Sequence, residues 1–143
     1  MNKHKLQAFL QGYIQCFREY DLNALKTYYQ LPCTLSTPEK LVLVTTDTEF
    51  EQEFSQIFTQ LQEANTTALS FTDVSYTKIT DAVATLGGQW RFICDQKTVF
   101  AEFFACYQLI EQNNKITIVN VMSHEIDNRV TFSHALALTP EQE

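Results

Sequence analysis

The chain has 143 residues, the size of one domain, and 45% of them are hydrophobic and 13% aromatic, which is enough to bury a sizeable core. Ten basic and 17 acidic residues give a net charge of −7, which argues against a nucleic-acid backbone or an anionic membrane as the main partner. No apolar run approaches the roughly 18 residues of a membrane helix and no secretory signal is visible, so we expect a cytoplasmic protein.

The cysteines and the ligand-type side chains argue against metals and cofactors. Cys16, Cys33, Cys94 and Cys106 form no CxxC pair, and their spacings suit neither a zinc site nor a disulfide scaffold. We therefore expect free thiols in a reducing compartment. No set of His, Asp and Glu has metal-ligand spacing, and no glycine-rich loop could cradle a phosphate, so we expect neither metal nor cofactor.

Helical patterns dominate the first 64 residues. Apolar residues at helical spacing predict a helix over 5–20, and Asp21 can cap a shorter second helix that Pro32 ends. The stretches CTLST and KLVLVTT predict two short strands separated by Pro38-Glu39. A third helix is predicted from about residue 47 to about residue 64, with phenylalanines on one face.

From residue 66 onward the pattern is that of strands. The stretches 66–80, 82–94, 98–110 and 115–124 alternate, and turn residues separate them. Helices followed by long antiparallel strands predict an α+β fold. Such a meander has to curl around the N-terminal helices, so we expect a curved antiparallel sheet with a conical cavity at its wide end.

One face of this predicted sheet remains uncovered, because three helices can cover only the other. An aromatic sheet face that no helix covers usually meets a partner, so we expect a homodimer through the convex face. The residues expected at this interface are Trp90, Phe92, Phe103, Tyr107, Ile118 and Met122.

The order of elements resembles that of the nuclear-transport-factor-2-like superfamily, the cone-shaped, cystatin-like α+β barrels that include ketosteroid isomerases, limonene epoxide hydrolases and polyketide cyclases. The resemblance is carried by YIQCFREYDLNALKTYY, the Pro-interrupted strand pair, the third helix and the closing NNKITIVNVMSHE. It covers about residues 6–125 of a single domain spanning 1–143, with 126–143 as a C-terminal tail. It implies a cone-shaped pocket.

The catalytic positions of these enzymes match this chain only in part. Tyr13 matches the hydrogen-bond donor on the first helix of ketosteroid isomerases. Thr37 falls near their general base and Cys106 near their second oxyanion donor, but a threonine is no base and a thiol is a weak donor. Val121 falls where epoxide hydrolases have their last aspartate. The resemblance therefore implies no known catalytic set, and it leans against an enzyme.

The turns predict which strand residues are neighbours. Pairing Asp95 with Thr98 places Arg91 opposite Glu102, and comparison with the family makes that face concave. The pair either orients a polar ligand, with Glu102 as a weak candidate base, or is a self-satisfied cross-strand ion pair. A one-residue slip in the last strand would exchange its faces. The residues expected to contact a ligand are Tyr13, Arg91, Glu102, Cys106 and Ser123.

Three functions remain open at this point. The favoured one is a cone-shaped pocket that binds a small, partly apolar molecule without an assignable catalytic set. The second is a non-catalytic dimerisation or association module whose cone is filled by side chains. The third is an isomerase, cyclase or hydrolase of small molecules that uses Glu102.

Overall fold

The computed structural model describes residues 1–95 and 97–138, and it begins with the predicted helices. Helix α1 spans Lys3–Glu19 and α2 spans Leu22–Lys26. The Asp21 side chain accepts from the Ala24 backbone N–H, which is the predicted cap of α2. Helix α3 spans Asp47–Glu63 and is capped by Thr46, one residue before the predicted start.

The other described elements, except a short 3-10 turn, are strands of one seven-stranded sheet. The sheet order is β2-β1-β6-β5-β4-β3-β7, and every neighbouring pair is antiparallel except β1 with β6. The strands are β1 Tyr29–Thr37, β2 Lys40–Val44, β3 Thr66–Thr80, β4 Val83–Cys94, β5 Val99–Gln112, β6 Lys115–His124 and β7 His134–Ala135.

The sheet curls around α1 and α3, which confirms the predicted cystatin-like α+β architecture. Leu6, Leu10 and Phe17 on α1 are buried, as are Phe50 and Phe54 on α3, because their spacing puts them on the helix face that meets the sheet. They pack into one cluster with the aromatic residues of β4 and β5. The core therefore lies on the concave side of the sheet.

The predicted pairing of Arg91 with Glu102 is correct, but the pairs next to the turn are shifted by one residue and the assignment of the two faces is wrong. Arg91 pairs with Glu102 and, one residue back, Trp90 pairs with Phe103. Trp90 is 2% exposed within the core cluster and Arg91 is exposed, so the aromatic face is the concave one. The aromatic set provides far more apolar area, and burial of that area decides which face turns inward.

A bulge in β6 explains a second error. Gln108 pairs with Asn120 and Leu109 with Ile118, which leaves Val119 as an extra residue. Beyond Val119, each β6 residue pairs with a β5 residue one position away from the predicted partner, so the two faces of β6 are exchanged relative to β5. Ser123 therefore lies opposite Ala105 on the concave side, while Met122 lies on the outer side.

The expected dimer interface is consequently not an exposed surface. Trp90, Phe92, Tyr107 and Ile118 are at most 4% exposed and belong to the core of a single chain. Phe103 also lies on the concave face, and only Met122 is on the outer side. The homodimer itself stays a prediction, but other residues have to form its interface.

The C-terminal tail crosses the outer face of the sheet instead of hanging free. The Phe132 backbone N–H donates to Ser75 Oγ at 2.7 Å, and β7 then adds to the edge of β3. Leu136 is 3% exposed and belongs to the core cluster. Phe132 thus covers the outer face near Ser75 and Gly87, while Leu136 packs on the concave side beyond the edge of the sheet.

Across residues 1–95 and 97–138, no helix has the length and hydropathy that a membrane span requires.

Candidate functional site

A cavity of about 360 Å³ lies between α1, α3 and the concave face of the sheet. Most of its lining is aromatic or aliphatic, as in sites for small molecules, although its volume is near the lower end of the usual range. Its buried lining residues, which mark the inner end, include Tyr13, Phe17, Tyr29, Phe54, Leu61, Trp90, Phe92, Tyr107 and Val121.

Hydrogen-bonding groups at the inner end form what we call the tyrosine network, made of Tyr13, Tyr29, Tyr107 and Trp90. The hydroxyls of Tyr13 and Tyr29 are 2.7 Å apart, and Trp90 Nε1 donates to the Tyr107 hydroxyl at 2.9 Å. All four side chains line the cavity and none is more than 7% exposed. Polar groups are therefore concentrated in an otherwise apolar wall.

The tyrosine network has four hydrogens to donate but at most three hydrogen bonds among its own members. The Trp90 indole only donates, so Tyr107, which accepts from it, keeps its own hydroxyl hydrogen. In the Tyr13–Tyr29 pair one hydroxyl donates and the other keeps its hydrogen. A bond between Tyr13 and Tyr107, whose ring centroids are 5.6 Å apart, would use one of these hydrogens. At least one O–H then has no acceptor among the described residues.

The three hydroxyls keep their protons at neutral pH. Burial raises the pKa of Tyr107 to about 12, and burial also holds the pKa values of Tyr13 and Tyr29 well above 10. The cause is the cost of a phenolate in an apolar environment. These tyrosines are hydrogen-bond donors and not bases.

The mouth of the cavity is marked by lining residues that reach solvent. Phe100 on β5 is 46% exposed and Ile57 on α3 is 37% exposed. Lys40 and Glu53 add one charge of each sign to the lining. Glu53 is the only carboxylate among the described residues that line the cavity.

The structure separates the predicted ligand contacts into two groups. Tyr13 and Ser123 line the cavity. Arg91, Glu102 and Cys106 lie on the other face of the sheet, so the prediction that they line the cone is wrong. The error comes from the exchanged faces, since the neighbouring residues 90, 92, 101, 103 and 107 occupy the lining instead.

The Arg91–Glu102 pair is a rung on the outside of the sheet. Arg91 Nε and Nη2 both donate to Glu102 Oε2, at 2.9 and 2.6 Å, and Gln89 Nε2 adds a third contact at 3.3 Å. The two charged side chains are 47% and 28% exposed. The two charges pair with each other and both side chains reach the surface, so the pair has no need of a ligand.

Two tyrosines of the site, at positions 29 and 107, are not among the residues that the sequence predicts to contact a ligand. Tyr107 and Trp90 are placed on the convex face when the family's catalytic positions are given more weight than hydrophobicity. The signal that would have found them is the alternation itself, because the more aromatic face of a half-covered sheet is the face that the helices bury. Tyr29 gives no comparable signal, because its place in the wall depends on how β1 pairs with β6.

Other features do not form a second chemical centre within the described parts of the chain. No group of His, Cys, Asp or Glu in 1–95 and 97–138 is arranged to hold a metal ion. No disulfide joins the four cysteines, all of which lie in the described residues, and burial raises the pKa of Cys16 and Cys33 to about 11, which makes these two unreactive. Two larger depressions, of about 660 and 670 Å³, are more open to solvent and more polar.

Comparison with known proteins gives a family and a fold. The family described as NTF2-like protein (DUF6841) matches residues 3–126. No curated protein matches the chain.

Solved structures agree with this assignment. An NTF-2 like protein of unknown function from Shewanella oneidensis MR-1 is 14% identical, with a TM-score of 0.70 over 87% of this chain and 100% of the other. An NTF2-like protein with a cystatin-like fold from Novosphingobium aromaticivorans is 11% identical, with a TM-score of 0.71 over 89% and 83% of the two chains. A protein of unknown function with a cystatin-like fold from Nostoc punctiforme PCC 73102 is 10% identical, with a TM-score of 0.69 over 85% and 89%. At these identities the likeness shows the fold alone.

Proposed function

We propose that this chain, which belongs to the NTF2-like family DUF6841, binds a small, largely apolar molecule that carries an oxygen acceptor. The acceptor, a carbonyl or an ether oxygen, takes the free hydrogen of the tyrosine network, and the apolar body fills the rest of the cavity. The observation that carries this proposal is the unused O–H donor in a buried, mostly apolar wall. A buried donor without an acceptor is costly, and a ligand oxygen removes that cost.

Binding without turnover is the form of this function that the site supports best. A general base has to lie within hydrogen-bond reach of the proton that it removes. The polar groups in the deeply buried part of the wall are neutral hydroxyls and an indole, and the one lining carboxylate among the described residues, Glu53, is half-buried on α3. Glu102 lines a separate, more open depression and not this cavity, so a role for it as a base on a ligand of the cavity has no support. A filled cone has no support either, because the cavity has room for a ligand.

Binding can be measured with two probes of similar shape, acetophenone and ethylbenzene, of which only the ketone has an acceptor. Quenching of the fluorescence of Trp90, the only tryptophan, reports occupancy of the cavity. The ratio of the two Kd values in wild type is then compared with the ratio in Tyr13→Phe, Tyr29→Phe and Tyr107→Phe. The free energy of removing each probe from water is the same for every variant, so it cancels when the ratios are compared. A change in the ratio therefore reports the hydrogen bond between the ketone and the tyrosine network.

We expect at least one of the three variants to lower the relative preference for the ketone by about three- to tenfold, the value of one net hydrogen bond. Tyr76→Phe is the matched control, since Tyr76 is also buried but does not line the cavity. Equal ratios in all five proteins, or no binding of either probe to wild type, would overturn the proposal.

A homodimer remains part of the proposal, with a different set of contacts. Leu41 and Leu43 on β2 are 77% and 61% exposed, and β1 links Leu41 to Met122 on the same outer face. The tail covers the opposite part of that face, which leaves this part open. Uncharged residues here let two acidic chains approach without repulsion, so we propose a second copy as the partner.

Light scattering on the whole chain tests the dimer. Leu41→Glu should convert it to a monomer, while Ile79→Glu, an equally polar change at a 61% exposed residue of β3, should leave it dimeric. A monomeric wild type at micromolar concentration would refute this part. The lack of disulfides among the four cysteines and the acidic balance also fit the reducing cytoplasm, which we propose as the location.

A further inference from the structure

A second bulge lies at the mouth of the cavity. Phe92 pairs with Ala101 and the next residue, Ile93, pairs with Val99, so that Phe100 has no partner in the described β4–β5 ladder. A bulge of this kind turns the side chain of the extra residue away from the direction that the alternation gives it. Glu102 and Phe104, at the following even positions of β5, do not line the cavity, whereas Phe100 does.

Phe100 is also a large apolar side chain in contact with water. It is 46% exposed, although it belongs to the wall of an apolar cavity. Ile57 on α3 is in the same situation at 37% exposure, while Phe50, Phe54, Phe58 and Leu61 on that helix are buried. Two apolar side chains from different elements therefore border the mouth of the same cavity, and each keeps more than a third of its surface exposed.

We infer that Phe100, with Ile57, forms an apolar collar that binds the outer part of an elongated ligand and so sets the ligand length that the protein prefers. This inference rests on the proposed function and adds the shape of the ligand. One end carries the oxygen that meets the tyrosine network. An unbranched or narrow apolar body then runs outward through the cavity and covers the collar. A ligand that ends inside the cavity gains nothing from Phe100.

A homologous series of unbranched methyl ketones, from 2-hexanone to 2-decanone, separates the two ends of the site. Each member has the same carbonyl, and each added methylene moves the apolar end toward the mouth. Binding is followed by the fluorescence of Trp90 in wild type, Phe100→Ala, Ile57→Ala and Val99→Ala. Val99 is the matched control, because it is next to Phe100, is 49% exposed and does not line the cavity.

In wild type, we expect Kd to fall by about fourfold for each methylene that is buried, up to the longest members. In Phe100→Ala and Ile57→Ala the short ketones should bind as in wild type, while the long members should bind roughly tenfold more weakly, because the collar is incomplete. Val99→Ala should follow wild type at every length. All of these substitutions are at exposed positions, so the fold is retained.

Two failures can be told apart. If the short ketones bind to wild type but Phe100→Ala matches Val99→Ala at every chain length, the collar is refuted and the proposed function stands. The collar is likewise refuted if Phe100→Ala weakens the binding of all members equally. If no ketone binds to wild type, the proposed function fails and the inference fails with it.

Discussion

The two faces of the β4–β5 hairpin are made by alternate residues of the same strands, yet they differ in almost every physical respect. On the concave face, Trp90 is 2% exposed and its indole donates to a buried tyrosine. One residue away on the outer face, Arg91 is 47% exposed and paired with a glutamate that also reaches water. The charged residues of this hairpin therefore lie on the solvent-exposed face. The groups that can hydrogen-bond to a ligand are neutral hydroxyls between aromatic rings on the concave face.

The sharpest test of this contrast is the loss of stability on truncating each neighbour. Trp90→Ala should lower the free energy of unfolding by about 3–5 kcal/mol, because the indole packs in the core and the cavity left behind cannot collapse fully. Arg91→Ala should cost less than about 1 kcal/mol, since an exposed ion pair contributes little. Urea unfolding of both variants measures the difference. Similar losses for the two would mean that the faces have been assigned wrongly.

Alkaline pH should destabilise the protein through the buried tyrosine hydroxyls of the concave face. Burial raises the pKa of Tyr107 in the folded state to about 12, whereas in the unfolded chain it is about 10. Its contribution is therefore complete below pH 10 and is lost as the pH rises toward 12, because the unfolded state then releases the proton more readily. Two pH units correspond to a loss of about 3 kcal/mol.

Urea unfolding at pH 8 and pH 11 measures whether stability falls as the pH rises and whether Tyr107 is responsible. Wild type should lose stability between these values, and Tyr107→Phe should lose less of it. Tyr20→Phe provides the control, since Tyr20 is half-buried and lies outside the cavity. An unchanged pH dependence in Tyr107→Phe would contradict the burial of a neutral hydroxyl at this position.

Gly88 tests how tightly the concave face is packed. A Cβ at this position would lie 2.5 Å from Cζ of Phe71, whose ring centroid is 4.8 Å from that of Trp90. Phe71 is 5% exposed and has little room to move, so Gly88→Ala should cost about 1–3 kcal/mol despite the better strand propensity of alanine. A thermal melt is sufficient to detect this. A gain in Tm would show that the core can yield here.

The fold was largely predictable, because its determinants are local. The spacing of Leu6, Leu10 and Phe17 is enough to define α1. The short turn after Cys94 joins β4 to β5, and together with the bulge at Phe100 it places Arg91 opposite Glu102. The predicted turn itself includes residue 96, which is outside the described residues. The family resemblance then supplied the curl of the sheet correctly.

The site was less predictable, because it depends on two single-residue irregularities. The bulge at Val119 exchanges the faces of β6, and the bulge at Phe100 turns an exposed aromatic residue into the cavity wall. Neither stretch contains a glycine or proline that would announce a bulge. The assignment of Arg91, Glu102 and Cys106 to the cone has a different cause, since an alignment to catalytic positions outweighed the simpler rule that the aromatic face is buried.

The smallest expected effect is the one that most directly separates the two faces in function. Glu102→Gln removes the charge that holds Arg91 and keeps the size of the side chain. Because Glu102 lies on the outer face, the Kd for acetophenone should stay within about twofold of wild type, and stability should change by less than about 1 kcal/mol. Glu53→Gln is the informative comparison, because Glu53 lines the cavity and the substitution removes a charge from the cavity wall. A tenfold loss of binding in Glu102→Gln, with Glu53→Gln unchanged, would show that the outer rung and not the tyrosine network holds the ligand.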